Sequence, residues 1–175
     1  VLCNDEDVSF AIRNPNQNTH GDWKYNLVVD YGSHVTGLGI GNEYTSGDTY
    51  LIDHLVNHDT AAHAVSYRFT PRITPGERGL EWGSGVDTTS WIWLNPSPEI
   101  RVSTADTVIC NGETSTITVR NPNNPIRGDC TYNLEVTADQ EISGESGDLT
   151  GVTTPSIAET LTNNDTIVHK VEYRF

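Results

Sequence analysis

Residues 3–29 recur without a gap at residues 110–136, and 13 of the 27 aligned positions are identical. A chain made of two divergent copies must adopt a fold that each copy can make by itself, which excludes most architectures at once. The first copy carries Cys3-Asn4-x-Glu6, Arg13-Asn14-Pro15-Asn16 and Gly21-Asp22-x-x-Tyr25-Asn26-Leu27-x-Val29. The second carries the same residues at Cys110, Asn111, Glu113, Arg120, Asn121, Pro122, Asn123, Gly128, Asp129, Tyr132, Asn133, Leu134 and Val136. One residue is lost in the middle loop, and a second block then aligns. Leu55-x-Asn57-x-Asp59-Thr60-x-x-His63-x-Val65-x-Tyr67-Arg68-Phe69 falls on Leu161-x-Asn163-x-Asp165-Thr166-x-x-His169-x-Val171-x-Tyr173-Arg174-Phe175. A spacing of 107 and then 106 positions is too long for a solenoid coil and suits a self-standing β-sandwich.

Period-two alternation recurs wherever the copies agree. Phe10 and Ile12, matched by Ile117 and Val119, mark a strand B with one face buried. Trp23, Tyr25, Leu27 and Val29 share one face of strand C, as do Cys130, Tyr132, Leu134 and Val136. Val65, Tyr67 and Phe69, matched by Val171, Tyr173 and Phe175, define strand F, and the runs around Leu51 and Ile157 lead into the Leu-x-Asn signature of strand E. Val, Ile, Thr and Tyr dominate these runs, as a pleated, half-buried surface favours. Asn-Pro-Asn at 14–16 and 121–123 ends strand B, because Pro supplies no ladder donor. Asn111-Gly112 is a tight-turn dipeptide whose place Asp5 takes in the first copy. Asn95-Pro-Ser-Pro98 reads as a short, stiff connector between domains. The expected fold is therefore all-β, two tandem β-sandwiches spanning 1–97 and 98–175.

Each of those halves carries 12 acidic and 5 basic residues, so the acidity belongs to both domains and not to a tail. Such a surface opposes nucleic-acid phosphate and anionic membrane. No apolar run reaches the roughly 18 residues that a membrane span requires, so neither a nucleic-acid partner nor membrane insertion by this segment is expected. An extended segment precedes Cys110 but only two residues precede Cys3, and the chain continues well beyond Phe69 but stops at Phe175. The expectation is a window across a longer array, its first repeat lacking an opening strand and its second a closing strand.

The ordered set of Ile109-Cys-Asn-Gly-Glu113, Trp23 on strand C, Thr160-Leu-Thr-Asn163, Val171-x-Tyr173 and Asn95-Pro-x-Pro98 resembles PKD-like immunoglobulin-type repeats. Such repeats occur in very large surface and gliding-motility adhesins of the Bacteroidota exported by the type IX system. The resemblance covers nearly the whole chain except the loops at 31–49 and 138–155. It implies an extracellular, cell-surface location and neighbouring repeats of the same chain as partners, with surface glycans as a further candidate partner; no cofactor is expected, apart from the calcium candidates below.

Candidate sites are few. Trp82, Trp91 and Trp93 lie in the part of the first copy that is not repeated. Trp91 and Trp93 share one strand face and Ile92 and Leu94 the other, so the tryptophans either enter the core or form an exposed strip able to stack on sugar rings or to pack on a neighbouring domain. Arg127-Gly128-Asp129 spells an integrin-type tripeptide, but His20-Gly21-Asp22 stands at the same place in the first copy, which makes Gly-Asp a scaffold feature. Five of six histidines fall in the first copy, with His54, His58 and His63 crowded together. That spacing would serve zinc on a helix. On strand and turn it does not, and the retention of His63 as His169 argues for a role in the fold. Asp5, Glu6 and Asp7 offer hard oxygen ligands for calcium without the spacing of a dedicated loop. A Cys110–Cys130 disulfide is not expected, since the two lie toward opposite ends of a strand B and C pair, well beyond the roughly 7 Å between Cα atoms that a disulfide allows. Cys130 is expected as a small buried residue in the slot of Trp23, with Cys3 and Cys110 free or paired outside this segment. No nucleophile elbow, zinc-helix motif or phosphate loop appears. The expectation is a non-catalytic stalk segment of a large repetitive cell-surface adhesin supporting surface attachment or gliding motility, with a carbohydrate- or ligand-binding β-sandwich module of a secreted protein as the alternative.

Overall fold

A computed structural model describes residues 1–15, 21–45, 49–74 and 83–175. They divide into two compact units, one of residues 1–97 with 124–127 and one of residues 98–123 with 128–175. Both are all-β, and no helix among the described residues is long and apolar enough to cross a membrane.

The first unit contains β1 (Glu6–Ile12), β2 (Asp22–Asp30), β3 (Val35–Thr36), β4 (Asn42–Thr45), β5 (Thr49–Asn57), β6 (His63–Thr74), β7 (Gly83–Ser84) and β8 (Thr88–Leu94). One sheet runs β1-β5-β3; the other runs β4-β2-β6, with β7 and β8 both paired to β6. These are strands B, E, D and C′, C, F, G of an immunoglobulin-like sandwich. Every ladder is antiparallel, and the registers Phe10↔Leu51, Leu27↔Phe69 and Val65↔Ile92 place apolar residues opposite one another. Val8, Leu51 and Leu55 from the first sheet meet Trp23, Tyr25, Leu27, Val65, Tyr67 and Leu94 from the second. Each such large side chain contributes roughly 1.5–3 kcal/mol on full burial. Leu2 adds a parallel bridge to Leu94, donating from its N–H to the Trp93 carbonyl and accepting from the Asn95 N–H.

The second unit contains β9 (Arg101–Thr104), β10 (Thr114–Arg120), β11 (Tyr132–Ala138), β12 (Ile142–Ser143), β13 (Leu149–Val152), β14 (Ser156–Thr160), β15 (Thr162–Asn163) and β16 (Val171–Arg174). Its sheets run β14-β10-β9 and β13-β11-β16, with β12 paired to β15. They correspond to strands E, B, A and C′, C, F, and β12 pairs with β15 as D with E, so strands B, C, C′, D, E and F of the first unit recur in the second. Ile117, Val119 and Leu134 are its buried hydrophobic residues.

The two copies part company at Cys130. The expected buried thiol is exposed. Trp23 is covered because β6 runs on to Thr74 and pairs Ile73 with it. In the second unit β11 begins at Tyr132, so Cys130 precedes the strand on which it was expected to stand.

Candidate functional site

The residues identical in the two copies make the same hydrogen bonds twice. Asn4 Nδ2 donates to the Asn57 carbonyl (3.0 Å) while its Oδ1 accepts the Asn57 N–H (2.5 Å). Asn111 does the same to Asn163, at 3.1 and 2.8 Å. One side-chain amide therefore takes the place of a strand partner at the end of strand E. Asn57 Nδ2 donates to the Ala61 carbonyl and Asn163 Nδ2 to that of Ile167, both at 2.8 Å. The Asp59 and Asp165 amides donate to the preceding Asn side chains at 3.0 and 2.9 Å. Cys3 N–H donates to Glu6 and Cys110 N–H to Glu113. Between these pairs the chain turns through a left-handed residue, Asp5 at φ 64° and Gly112 at φ 78°. Gly21 and Gly128, at φ 109° and 105°, are likewise kept for backbone geometry.

A second shared device escaped the sequence reading. Asp53 on β5 is fully buried, accepting from the Tyr31 and Tyr67 hydroxyls at Oδ2 (both 2.8 Å) and from the Leu38 N–H at Oδ1 (2.7 Å). In the second unit Glu159 occupies the aligned position and accepts from the Tyr173 hydroxyl (2.5 Å), the Ser146 N–H (2.9 Å) and the Ser146 hydroxyl. Burial, aided by the hydrogen bond and charge of Asp53, pushes the Tyr31 hydroxyl up to about 12. The same causes raise Tyr67 and, with Glu159 as partner, Tyr173. These phenols stay protonated and act as donors.

His54, His58 and His63 scatter over three settings. His54 Nδ1 lies 2.7 Å from Asp7 Oδ1 and its Nε2 2.9 Å from Asp5 Oδ1. These bonds, Asp7 first, hold its imidazole above the usual range. His58 Nε2 contacts Thr36 Oγ1 at 2.9 Å. His63 Nε2 lies 2.8 Å from Asp59 Oδ2, as His169 Nε2 lies 3.3 Å from Asp165 Oδ2. The His63 and Thr60 hydrogen bonds hold Asp59 below the usual carboxylate range. His54, His58 and His63 thus form no common ligand set. Nor do Asp5, Glu6 and Asp7: two are bound to His54, and Glu6 is turned to the Cys3 amide. Among the described residues, the grouping whose ligand atoms all lie within 4.8 Å is His34, Asp59 and His63.

On β8, Leu94 is fully buried and Ile92 packs on the core, so Trp91 and Trp93 face outward. Trp91 is 63% exposed. The Arg127 guanidinium lies 3.7 Å from the centroid of the Trp93 ring. Residue 127 is further held by Asn95, which accepts its N–H at 2.8 Å and donates to its carbonyl at 2.9 Å. The Arg of the Arg127-Gly128-Asp129 sequence is thereby engaged in the first unit. Trp82 lies outside the described residues. Cys3, Cys110 and Cys130 are all free and exposed.

Each sandwich also opens at one end into a cleft, of about 330 Å³ beside Ile12, Trp23, Tyr25 and Phe69 and about 440 Å³ beside the aligned Val119, Cys130, Tyr132 and Phe175. Among the described residues, charged lining is limited to Arg13 in the first and to Glu99 and Arg120 in the second. Their recurrence at aligned positions makes them part of the fold.

No protein-family model matches the chain, and no curated protein matches it. Among solved structures, it is similar to one described as the D0-D1 domain of Intimin, at 10% identity and a TM-score of 0.31, covering 99% of this chain and 86% of that one.

Proposed function

We propose that the chain is a non-catalytic structural segment of a large repetitive cell-surface adhesin, of the PKD-like type that its motifs resemble, exported by a type IX route and supporting surface attachment or gliding motility. One observation carries this reading. The residues that the copies share, Asn4 and Asn111, Asn57 and Asn163, Asp59 and Asp165, His63 and His169, Tyr67 and Tyr173, are engaged in matching hydrogen bonds that shape strands and turns. What two copies retain in common is scaffold, as suits a repeated spacer whose partners are further repeats.

The outward Trp91 favours a second reading, in which the first unit stacks a sugar ring on that indole. A glycan array probed with the full chain and with Trp91→Ala separates the two. The spacer reading expects no selective binding by either protein. A saccharide held by the wild type and lost in the variant would replace it with the carbohydrate-binding reading.

A further inference from the structure

The first unit has a titratable cluster that its shared scaffold does not require. His63 and Asp59 recur in the second unit, but there both nitrogens of His169 face carboxylates, Asp165 at 3.3 Å and Asp139 at 3.4 Å. One imidazole between two carboxylates is a settled ion pair. In the first unit the second neighbour is another imidazole. The His34 ring stacks on that of His63, with centroids 4.7 Å apart and planes inclined by 21°, and His34 Nδ1 lies 3.9 Å from the same Asp59 Oδ2 that His63 contacts. Two imidazole nitrogens thus converge on one carboxylate oxygen, which brings three ligand atoms of mixed nitrogen and oxygen type together.

We propose that His34, Asp59 and His63 bind one borderline divalent cation of the Zn²⁺, Ni²⁺ or Cu²⁺ class. The donor set fits that class: two imidazole nitrogens and one carboxylate oxygen suit borderline ions, whereas Ca²⁺ and Mg²⁺ require more oxygens. The distances fit as well. Ligand atoms around a tetrahedral zinc stand about 3.3 Å apart, against the present 2.8 and 3.9 Å to Asp59 Oδ2 and an upper limit of 4.8 Å across the group. A turn of the His34 ring makes the lone pairs converge, and its side chain is 51% exposed and free to make it. Asp59 is pre-positioned. Its N–H is held by Asn57 Oδ1 and its Oδ1 accepts the Thr60 N–H at 2.7 Å, which leaves Oδ2 directed at the imidazoles. The His34 carbonyl accepts the His58 N–H at 2.8 Å, which anchors its backbone beside β3. Where His63 and Asp59 share a proton, the entering cation displaces it to solvent. Water completes the coordination shell on the exposed side.

The site is independent of the adhesin reading, and its test is physical. The full chain is titrated with Zn²⁺ by calorimetry and melted while tryptophan fluorescence is followed; all four tryptophans lie in residues 1–97. The expected result is one Zn²⁺ per chain and a higher melting temperature for the first unit. His34→Ala should weaken binding at least about tenfold, since even outer-shell partners carry that much, while leaving the metal-free melt unchanged. His34→Gln, which keeps more of the side-chain bulk, guards against a folding artefact. With Cu²⁺, electron paramagnetic resonance should show coupling to two nitrogens in the wild type and to one in the variants. No melting shift at millimolar Zn²⁺, an equal shift in both variants, or an equal shift with Ca²⁺ would overturn the proposal.

Discussion

Replacing Tyr67 by Phe removes one hydroxyl from the interior and nothing else. Its ring is fully buried, and the lost hydroxyl donates to Asp53 Oδ2 at 2.8 Å. Asp53 keeps the Tyr31 hydroxyl and the Leu38 N–H, so the carboxylate is weakened and not orphaned. A hydrogen bond to a charged group contributes about 1.5–3 kcal/mol. For a domain of this size each kcal/mol moves the melting temperature by roughly 4–8 °C, so the first unit should melt on the order of 10 °C lower. Because every tryptophan belongs to residues 1–97, fluorescence reports that unit alone, while far-ultraviolet circular dichroism reports both. Tyr173→Phe supplies the matched control: its loss at Glu159 should shift the dichroism transition of the second unit and leave the fluorescence transition in place. An unchanged or raised fluorescence midpoint in Tyr67→Phe would refute the buried tyrosine–carboxylate bond as a stabilising element.

The remaining expectations are smaller. His54 and His169 have raised values in the fold, so their contribution is fully present below the unfolded value of 6.5 and is lost as pH rises through the folded one. Asp59, Asp139 and Asp165 have lowered values, so theirs is present above 3.8 and lost as pH falls through the folded ones. Melting temperatures should therefore peak between those limits, and His54→Gln should flatten the alkaline limb of the first unit; an unaltered limb would count against the Asp7 and Asp5 contacts. Gly112→Ala forces a Cβ into a left-handed turn with open space around it, so only backbone strain, about 1–2 kcal/mol, should appear, in the dichroism transition of the second unit. Arg127→Ala should lower the fluorescence midpoint by the equivalent of about 0.5–1 kcal/mol. Integrin-bearing cells should attach no better to the wild type than to Asp129→Glu, and a clear preference for the wild type would contradict an Arg127 engaged on Trp93.

Much of the sandwich was legible because one face of each strand repeats in both copies. Trp23, Tyr25 and Leu27, or Val65 and Tyr67, declare their core face by alternation alone. Asp5 at the place of Gly112 announced a turn with the poorer residue, and both are left-handed. The buried acids were missed because a carboxylate reads as solvent-facing. The signal was there: Asp53 shares the parity of Leu51 and Leu55, and an acid recurs two places before Leu161. His34 lies in a loop that does not align between the copies, so no spacing rule could bring it to Asp59. Cys130 was misjudged because strand C of the second unit begins at Tyr132, beyond it. The grip of Arg127 on Trp93 depends on residues far apart in sequence, which local pattern cannot encode.

The residues that the two copies share build the fold, and the amides of Asn57 and Asn163 report on it. Each donates to the side chain of Asn4 or Asn111 at the end of a strand, where an ordinary loop amide would exchange freely. Hydrogen exchange measured residue by residue should find both amides protected like those in the strand ladders of their own units, and Asn4→Ala should abolish protection at Asn57 while leaving Asn163 unchanged. Loop-like exchange at either amide in the wild type would contradict the account.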